Sequence, residues 1–153
     1  MAIEAPVSRQ KKNNLKIYIA FCLIVAAWCA YDGYFNQSWI EEHTDEQGNP
    51  EPYLVFNKYA PFFLGALAAG FGIYLYILKD KKLIADEQGL IISKNEKISY
   101  NSIEKIDKTY FKSKGYFIVT YQDSSGKETN CKISDRQYDN LPAVLEELVA
   151  KIS

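Results

Sequence analysis

Twenty consecutive residues without a charged side chain, Tyr59 to Leu78, constrain this chain more than any other feature. As a helix, a run of that length reaches roughly 30 Å, the thickness of the hydrocarbon layer of a bilayer. With only 153 residues, the chain has too little other material to bury such a helix on every side. The run predicts a membrane-spanning helix over 59–78. A second uncharged run, Ile17 to Tyr31, has 15 residues. Lys16 can lay its stem along lipid at one end, and Trp28, Tyr31, Tyr34 and Phe35 supply an aromatic belt at the other. Together these predict a first span over 15–35. A basic leader precedes it, but "AAWCAYDG" offers a cleavage site only beside the bulky Trp28, so the segment reads as an uncleaved anchor.

Charge sets the expected topology. The tail 1–14 and the adjoining Lys16 carry four basic side chains (Arg9, Lys11, Lys12, Lys16) against Glu4 alone. Residues 32–58 carry six acids against Lys58, and Lys79, Lys81 and Lys82 follow the second run. Basic residues stay on the cytoplasmic side of a membrane. The reading is a multi-pass protein of the cell inner (plasma) membrane with both termini cytoplasmic and an extracytoplasmic loop over 36–58. "DEQGNPEP" at the centre of that loop predicts turns rather than a folded unit. Its single histidine, His43, lies among carboxylates, a pattern that ordinary solvation explains better than a metal.

Small residues four apart give the helices close-approach surfaces. Gly65/Ala69, Ala66/Gly70 and Ala68/Gly72 do so on the second helix, and Cys22/Ala26 and Ala26/Ala30 on the first. A hairpin closing on itself and a seam between two copies both satisfy this spacing. Pro61 is placed in the first turn of the second helix, where its missing N–H is harmless.

From Lys79 the pattern changes to alternation. "KLIADEQGLII" predicts two strands around a turn at Asp86–Gly89, and "KISY" a third. A fourth strand follows Asn101 and Ser102. "KGYFIVTYQD" carries the strongest strand signal in the chain, and "DSSGK" turns it into "ETNCKIS". In "LPAVLEELVAKIS" the residues Leu141, Val144, Leu145, Leu148 and Ile152 form one helical face, with Asn140 as N-cap.

The order "GLIIS…KISYNSIEKID…GYFIVTY…NLPAVLEELVAKI" resembles the bacterial pleckstrin-homology-like (PH-like) domains found fused to transmembrane hairpins. In that family a Trp commonly stands where this chain has Tyr100. The resemblance covers residues 83–153 and rests on pattern, with no catalytic motif. It implies a small antiparallel partial barrel over 79–153, capped by a C-terminal amphipathic helix, and a binding or scaffolding role. The fold class expected for the whole chain is an α+β membrane protein, a two-helix hairpin followed by that domain.

Candidate chemistry is sparse. One histidine on the far side of the membrane from the β domain leaves no base there for a nucleophile. Cys22, Cys29 and Cys131 make neither a zinc spacing nor an intrachain bridge, and no glycine-rich phosphate loop occurs. No enzyme activity, metal or other cofactor is expected. Lys79, Lys81 and Lys82 are candidate lipid-headgroup contacts, each gaining about 1 kcal/mol from anionic lipid. Against a specific headgroup site, Asp86 and Glu87 occupy the turn where phosphoinositide-binding relatives carry bases. Residues 79–153 hold 13 bases and 12 acids, a net +1, which excludes a nucleic-acid partner. The aromatic residues Tyr100, Tyr110, Phe111, Tyr116, Tyr121 and Tyr138 suit a protein interface, although several of them must be core. The expected function is therefore a non-catalytic, membrane-anchored scaffold or protein-interaction module, with the lipid bilayer and a protein partner or second copy as its contacts. The alternatives are a lipid-headgroup sensor and an accessory subunit of a membrane transporter.

Overall fold

A computed structural model describes residues 2–152. They divide into two units: one spans 13–76, and the other joins the residues up to Lys12 with those from Ile77 onward.

The first unit is helical. Helix α1 (Arg9–Ala30) runs into a π-helical turn (Tyr31–Phe35), then a short α2 (Gln37–Glu42) and a long α3 (Pro52–Leu78). Both long helices are long and apolar enough to cross a membrane, and only 17% and 11% of their most apolar windows are buried. Along α1 the buried Leu15, Cys22, Ala26 and Cys29, with the half-buried Ile19, alternate at three and four residues. Along α3 Leu64, Ala68, Phe71 and Leu75 do the same. That spacing is the seam of a two-helix pair, and the Tyr18 and Phe71 rings meet at 5.9 Å.

The boundaries differ from those read in the sequence. Helix α3 begins at Pro52 rather than 59, since Asn57 and Lys58 are tolerated in a helix although they end an apolar run. The proline in its first turn is thus Pro52, and Pro61 lies inside the helix. The segment 36–58 is correspondingly more ordered than turns alone: Asn36 caps α2 by accepting the Trp39 N–H, and Asp45 closes the turn before α3.

An internal proline has no N–H for the carbonyl four residues back, here that of Asn57. Gly33 packs against that carbonyl so closely that a Cβ would lie 2.8 Å from the oxygen. The Tyr34 hydroxyl donates to the next carbonyl, Lys58 O, at 2.8 Å. The π-helical turn therefore fits the break that Pro61 makes in α3, as neighbouring groups do when they cover freed backbone in apolar surroundings.

The second unit contains two antiparallel sheets that do not close on each other. One has the order β1 (Ile3–Pro6), β2 (Lys82–Ala85), β3 (Gly89–Ser93), β4 (Glu96–Ser99). The other has β5 (Ile103–Asp107), β6 (Tyr116–Gln122), β7 (Glu128–Ser134). A short α4 (Phe111–Lys114) links β5 to β6, and α5 (Leu141–Ile152) ends the unit. Strands β2 to β7 and α5 follow the alternation and turn chemistry read from the sequence. Gly115, at φ 70°, closes α4 in a left-handed conformation beside the Asp135 carboxylate. Leu141, Val144, Leu145 and Leu148 of α5 fill the core with Leu83, Leu90, Ile98, Phe117, Val119 and Ile133. Tyr100, Phe111, Tyr121 and Tyr138 pack against this core and are the members of the aromatic set that belong to it.

The main departure is β1. The sequence reading makes residues 1–14 a tail, yet Ile3–Pro6 forms an edge strand of the first sheet, and α1 starts at Arg9. Ala5 is fully buried among core residues supplied by the chain's far end.

Candidate functional site

The residues that bring the most distant parts of the chain together lie around β1. Its ladder with β2 sets Ile3 opposite Ala85, Glu4 opposite Ile84, Ala5 opposite Leu83 and Pro6 opposite Lys82. Ala5 points inward and Glu4 outward, as strand alternation requires. The other edge of β1 is covered by the segment joining β7 to α5. There the Asp139 N–H donates to Pro6 O at 2.9 Å, the Ser8 N–H to Gln137 O at 2.9 Å, and Asn140 Nδ2 to Glu4 O at 3.0 Å. Asn140 holds φ 61°, a left-handed conformation that asparagine tolerates better than most residues. Its side chain reaches back to β1, so it joins strand to helix as well as marking the start of α5.

Ser8, 1% exposed, starts α1. Its Oγ accepts the Lys11 N–H at 3.2 Å and donates to Arg136 O at 2.7 Å. The Asp139 carboxylate accepts the Arg9 N–H at 3.1 Å, which puts a negative charge at the positive end of the α1 dipole. The parts played by Glu4, Ser8 and Asp139 were missed from the sequence, and Asn140 was read only as the N-cap of the terminal helix. A serine three residues before a lysine lacks the Glu or Gln that would complete a capping box, and its other partner lies 128 positions away.

The three lysines proposed as headgroup contacts fare differently from one another. Lys82 Nζ pairs with Glu4 Oε1 at 2.5 Å, so its charge is already met within the protein. Lys81 offers its carbonyl to the Val7 N–H at 3.3 Å, and its side chain is exposed, as is that of Lys79. In the turn between β2 and β3, Asp86 accepts the N–H groups of Gln88 and Gly89, each at 2.8 Å, and Lys97 Nζ at 3.3 Å. The Gln88 amide, with Gly89 and Lys97, holds its carboxyl below the usual aspartate range. The Tyr100 hydroxyl donates to Asp86 O at 2.7 Å, and burial pushes that phenol up. This turn is acidic and satisfied by its own backbone, the opposite of a cradle for phosphate.

Basic and aromatic groups meet instead on the second sheet. Lys132 Nζ sits 3.9 Å over the Tyr116 ring, Tyr116 stacks on Tyr110 at 5.5 Å, and Lys114 covers Tyr110 at 4.7 Å. Two shallow grooves of about 330 and 310 Å³ adjoin at Phe111 and Pro142, between α4 and the start of α5.

The small residues proposed for helix packing divide. Ala68 is buried, Gly65 and Gly72 are half-buried, and Ala69 and Gly70 are exposed. A Cβ on Gly65, Gly70 or Gly72 would meet open space. Of the three overlapping pairs on α3, only the one led by Ala68 faces the seam, because successive pairs step around the helix.

Among the described residues no three His, Cys, Asp or Glu side chains converge in a way that holds a metal. His43 stacks on Trp39 at 3.8 Å with Nδ1 2.9 Å from Trp39 O. The neighbouring Asp45 is occupied by the Asn49 and Gln47 amides, which lower its pKa. Cys131 is half-buried in β7, and burial raises its thiol pKa, the condition of an unreactive cysteine. Comparison of the chain with protein-family models, with curated proteins and with solved structures finds no match to any of them.

Proposed function

We infer that the chain is a two-span membrane protein with both ends in the cytoplasm, whose β unit is a PH-like, non-catalytic scaffold that offers a membrane-anchored surface to a protein partner. The observation that carries this reading is the β1–β2 ladder. One strand precedes α1 and the other follows α3, so a chain threaded through a bilayer can form the ladder only if both flanks lie on one side. This agrees with the basic residues at both flanks but does not depend on them.

Exposure supports the insertion. Phe62, Phe63, Phe21, Ile24 and Ile73 are each more than 60% exposed, more large apolar side chains than a folded monomer ordinarily shows to water. The aromatic Trp28, Tyr31, Phe35, Tyr53 and Phe56, also exposed, suit the headgroup level at the loop end. Two antiparallel sheets followed by a terminal amphipathic helix support the PH-like reading. The pairing of Lys82 with Glu4 favours the scaffold over a headgroup sensor.

Two measurements test the reading. Cysteines placed at Ala2 and Ser153, in a chain without its native cysteines, are expected to resist a membrane-impermeant thiol reagent on intact cells. Labelling of either one refutes the topology. Full-length chain extracted in detergent is expected to retain a partner after crosslinking. Substrate-dependent flux through vesicles holding this chain alone would replace the scaffold with a transporter.

A further inference from the structure

Four strands stand at the edges of the two sheets: β1, β4, β5 and β7. An edge strand leaves a row of backbone N–H and C=O groups unpaired, and folds usually blunt it. The outer edge of β1 is covered by the segment 137–140. Strand β4 has only four residues and sits in a pairing with a register shift, and β5 has such a shift against β6. Strand β7 is the long and regular one: its seven residues keep a single register against β6 from Glu128 to Ser134.

Two backbone bonds fix which residues of β7 face outward. The Asp135 N–H donates to Gly115 O at 2.8 Å just past one end of the ladder, and the Asp123 N–H to Lys127 O at 3.0 Å just past the other. Hydrogen-bonded pairs recur at every second residue of an antiparallel ladder. Counted inward from either end, Thr129, Cys131 and Ile133 are the residues that bond to β6. Glu128, Asn130 and Lys132 therefore turn their N–H and C=O groups away from it. Among the described residues no other backbone group meets them there, and all three are exposed. The next outward residue, Ser134, is already engaged, because its carbonyl takes the N–H groups of Gln137 and Tyr138. As alternate residues, Glu128, Asn130 and Lys132 also share one face of the sheet, the face opposite the buried Ile133.

Charge selects what can add to this edge. A second β7 laid antiparallel about a two-fold axis at Asn130 sets Asn130 opposite its own copy and Glu128 opposite Lys132 on both sides of the axis. Such a contact needs a surface complementary to itself. Opposite charges directly across an antiparallel pair attract, and like charges repel. Centring the pair on Glu128 or on Lys132 sets like charges face to face, and centring it on Thr129 or Cys131 spends a charge on Asn130. Within one chain neither Glu128 nor Lys132 has an ion-pair partner among the described residues, and Lys132 rests over the Tyr116 ring. We propose that the outer edge of β7 is a homodimerisation edge, where a second copy of this chain continues the β5–β6–β7 sheet across a two-fold axis at Asn130. The inference rests on the scaffold reading above and names the protein partner in that reading as a second copy.

The test is cross-linking in cells, with the full-length chain carrying alanine at its three native cysteine positions. Asn130→Cys lies on the axis and is expected to give a dimer-sized adduct with a short, membrane-permeant bismaleimide. Lys105→Cys, in the same cross-strand row but two strands away, is expected to give none. Added to Asn130→Cys, Glu128→Lys sets lysine against lysine twice and is expected to cut the adduct about fivefold, as is Lys132→Glu. Combining Glu128→Lys with Lys132→Glu remakes both pairs and is expected to return the adduct, which a damaged strand would not do. No adduct, an adduct with a different protein alone, equal adduct at Lys105→Cys, or a combined variant as poor as the single ones each overturns the proposal. The adduct and the labelling of the chain ends are read separately. No adduct in a chain whose ends resist the impermeant reagent overturns the dimer alone, whereas an adduct in a chain whose ends are labelled upholds the dimer and refutes the topology.

Discussion

Ala5→Asp distinguishes a structural N-terminal strand from a dispensable tail. Ala5 has no exposed surface and faces the core beside Leu83 and Ala85, whereas the adjacent Glu4 side chain is about half exposed. No buried donor awaits a carboxylate there, because among the described residues every buried side-chain nitrogen and oxygen already has a partner. Burying a polar group without a hydrogen bond costs roughly 4 kcal/mol, and a charge costs more unless it takes up a proton. A domain of this size has about 5–15 kcal/mol of stability in total. A loss of about 4 kcal/mol lowers its melting temperature by roughly 20 °C. Glu4→Gln, which removes only an exposed ion pair, is expected to cost less than about 1 kcal/mol. The assay is labelling of Cys131 along a urea gradient in detergent, with Cys22 and Cys29 replaced by alanine. Cys131 lies in β7 and reports the β unit rather than the helices. Equal midpoints for Ala5→Asp and wild type would refute the reasoning, because they would mean that β1 adds nothing to the sheet.

A fragment of residues 79–153 lacks β1 and is expected to show broad, non-cooperative unfolding by circular dichroism, whereas the same fragment carrying residues 2–8 on a flexible linker unfolds cooperatively. Gly33→Ala drives a methyl group into the Asn57 carbonyl and is expected to destabilise the helical hairpin by about 1–3 kcal/mol, read as a lower melting temperature in detergent. Asp86, Asp107 and Asp123 have carboxyls held below the usual range, chiefly by the Gln88 amide, the Thr109 hydroxyl and the Ser125 hydroxyl respectively. Their folded values lie under the unfolded value of about 3.9, so their contribution is complete above about pH 5 and is lost as acid protonates them. The urea midpoint is therefore expected to fall from pH 5 to pH 2, and a flat profile would contradict this.

Strands β2 to β7 were legible because each signal was local: alternating apolar residues, turn residues at Asp86–Gly89 and Asp123–Gly126, and a helical face from Leu141 onward. Strand β1 was not. "IEAP" is four residues ending in proline, and its ladder partners lie near residue 84. The start of α3 was hidden for a different reason. Apolarity marks where lipid is tolerated and not where hydrogen bonding begins, so Pro52–Lys58 read as loop. The outward small residues Ala69 and Gly70 could not be separated from Ala68 by spacing alone, since all three overlapping pairs satisfy it. At the candidate site, Lys79, Lys81 and Lys82 were visible as a cluster, but the Glu4 that occupies Lys82 lies 78 positions away.

The placement of β1 also bears on how such a protein is made. Its first strand leaves the ribosome before either helix, yet its partner emerges only after the second. Until then the strand has no sheet to join, and closing that loop carries the entropy of about 75 intervening residues unless the hairpin has already brought the ends together. With α1 and α3 as the spans proposed above, insertion would precede the final folding step, and a chain whose second crossing failed would keep an incomplete sheet on view to proteases.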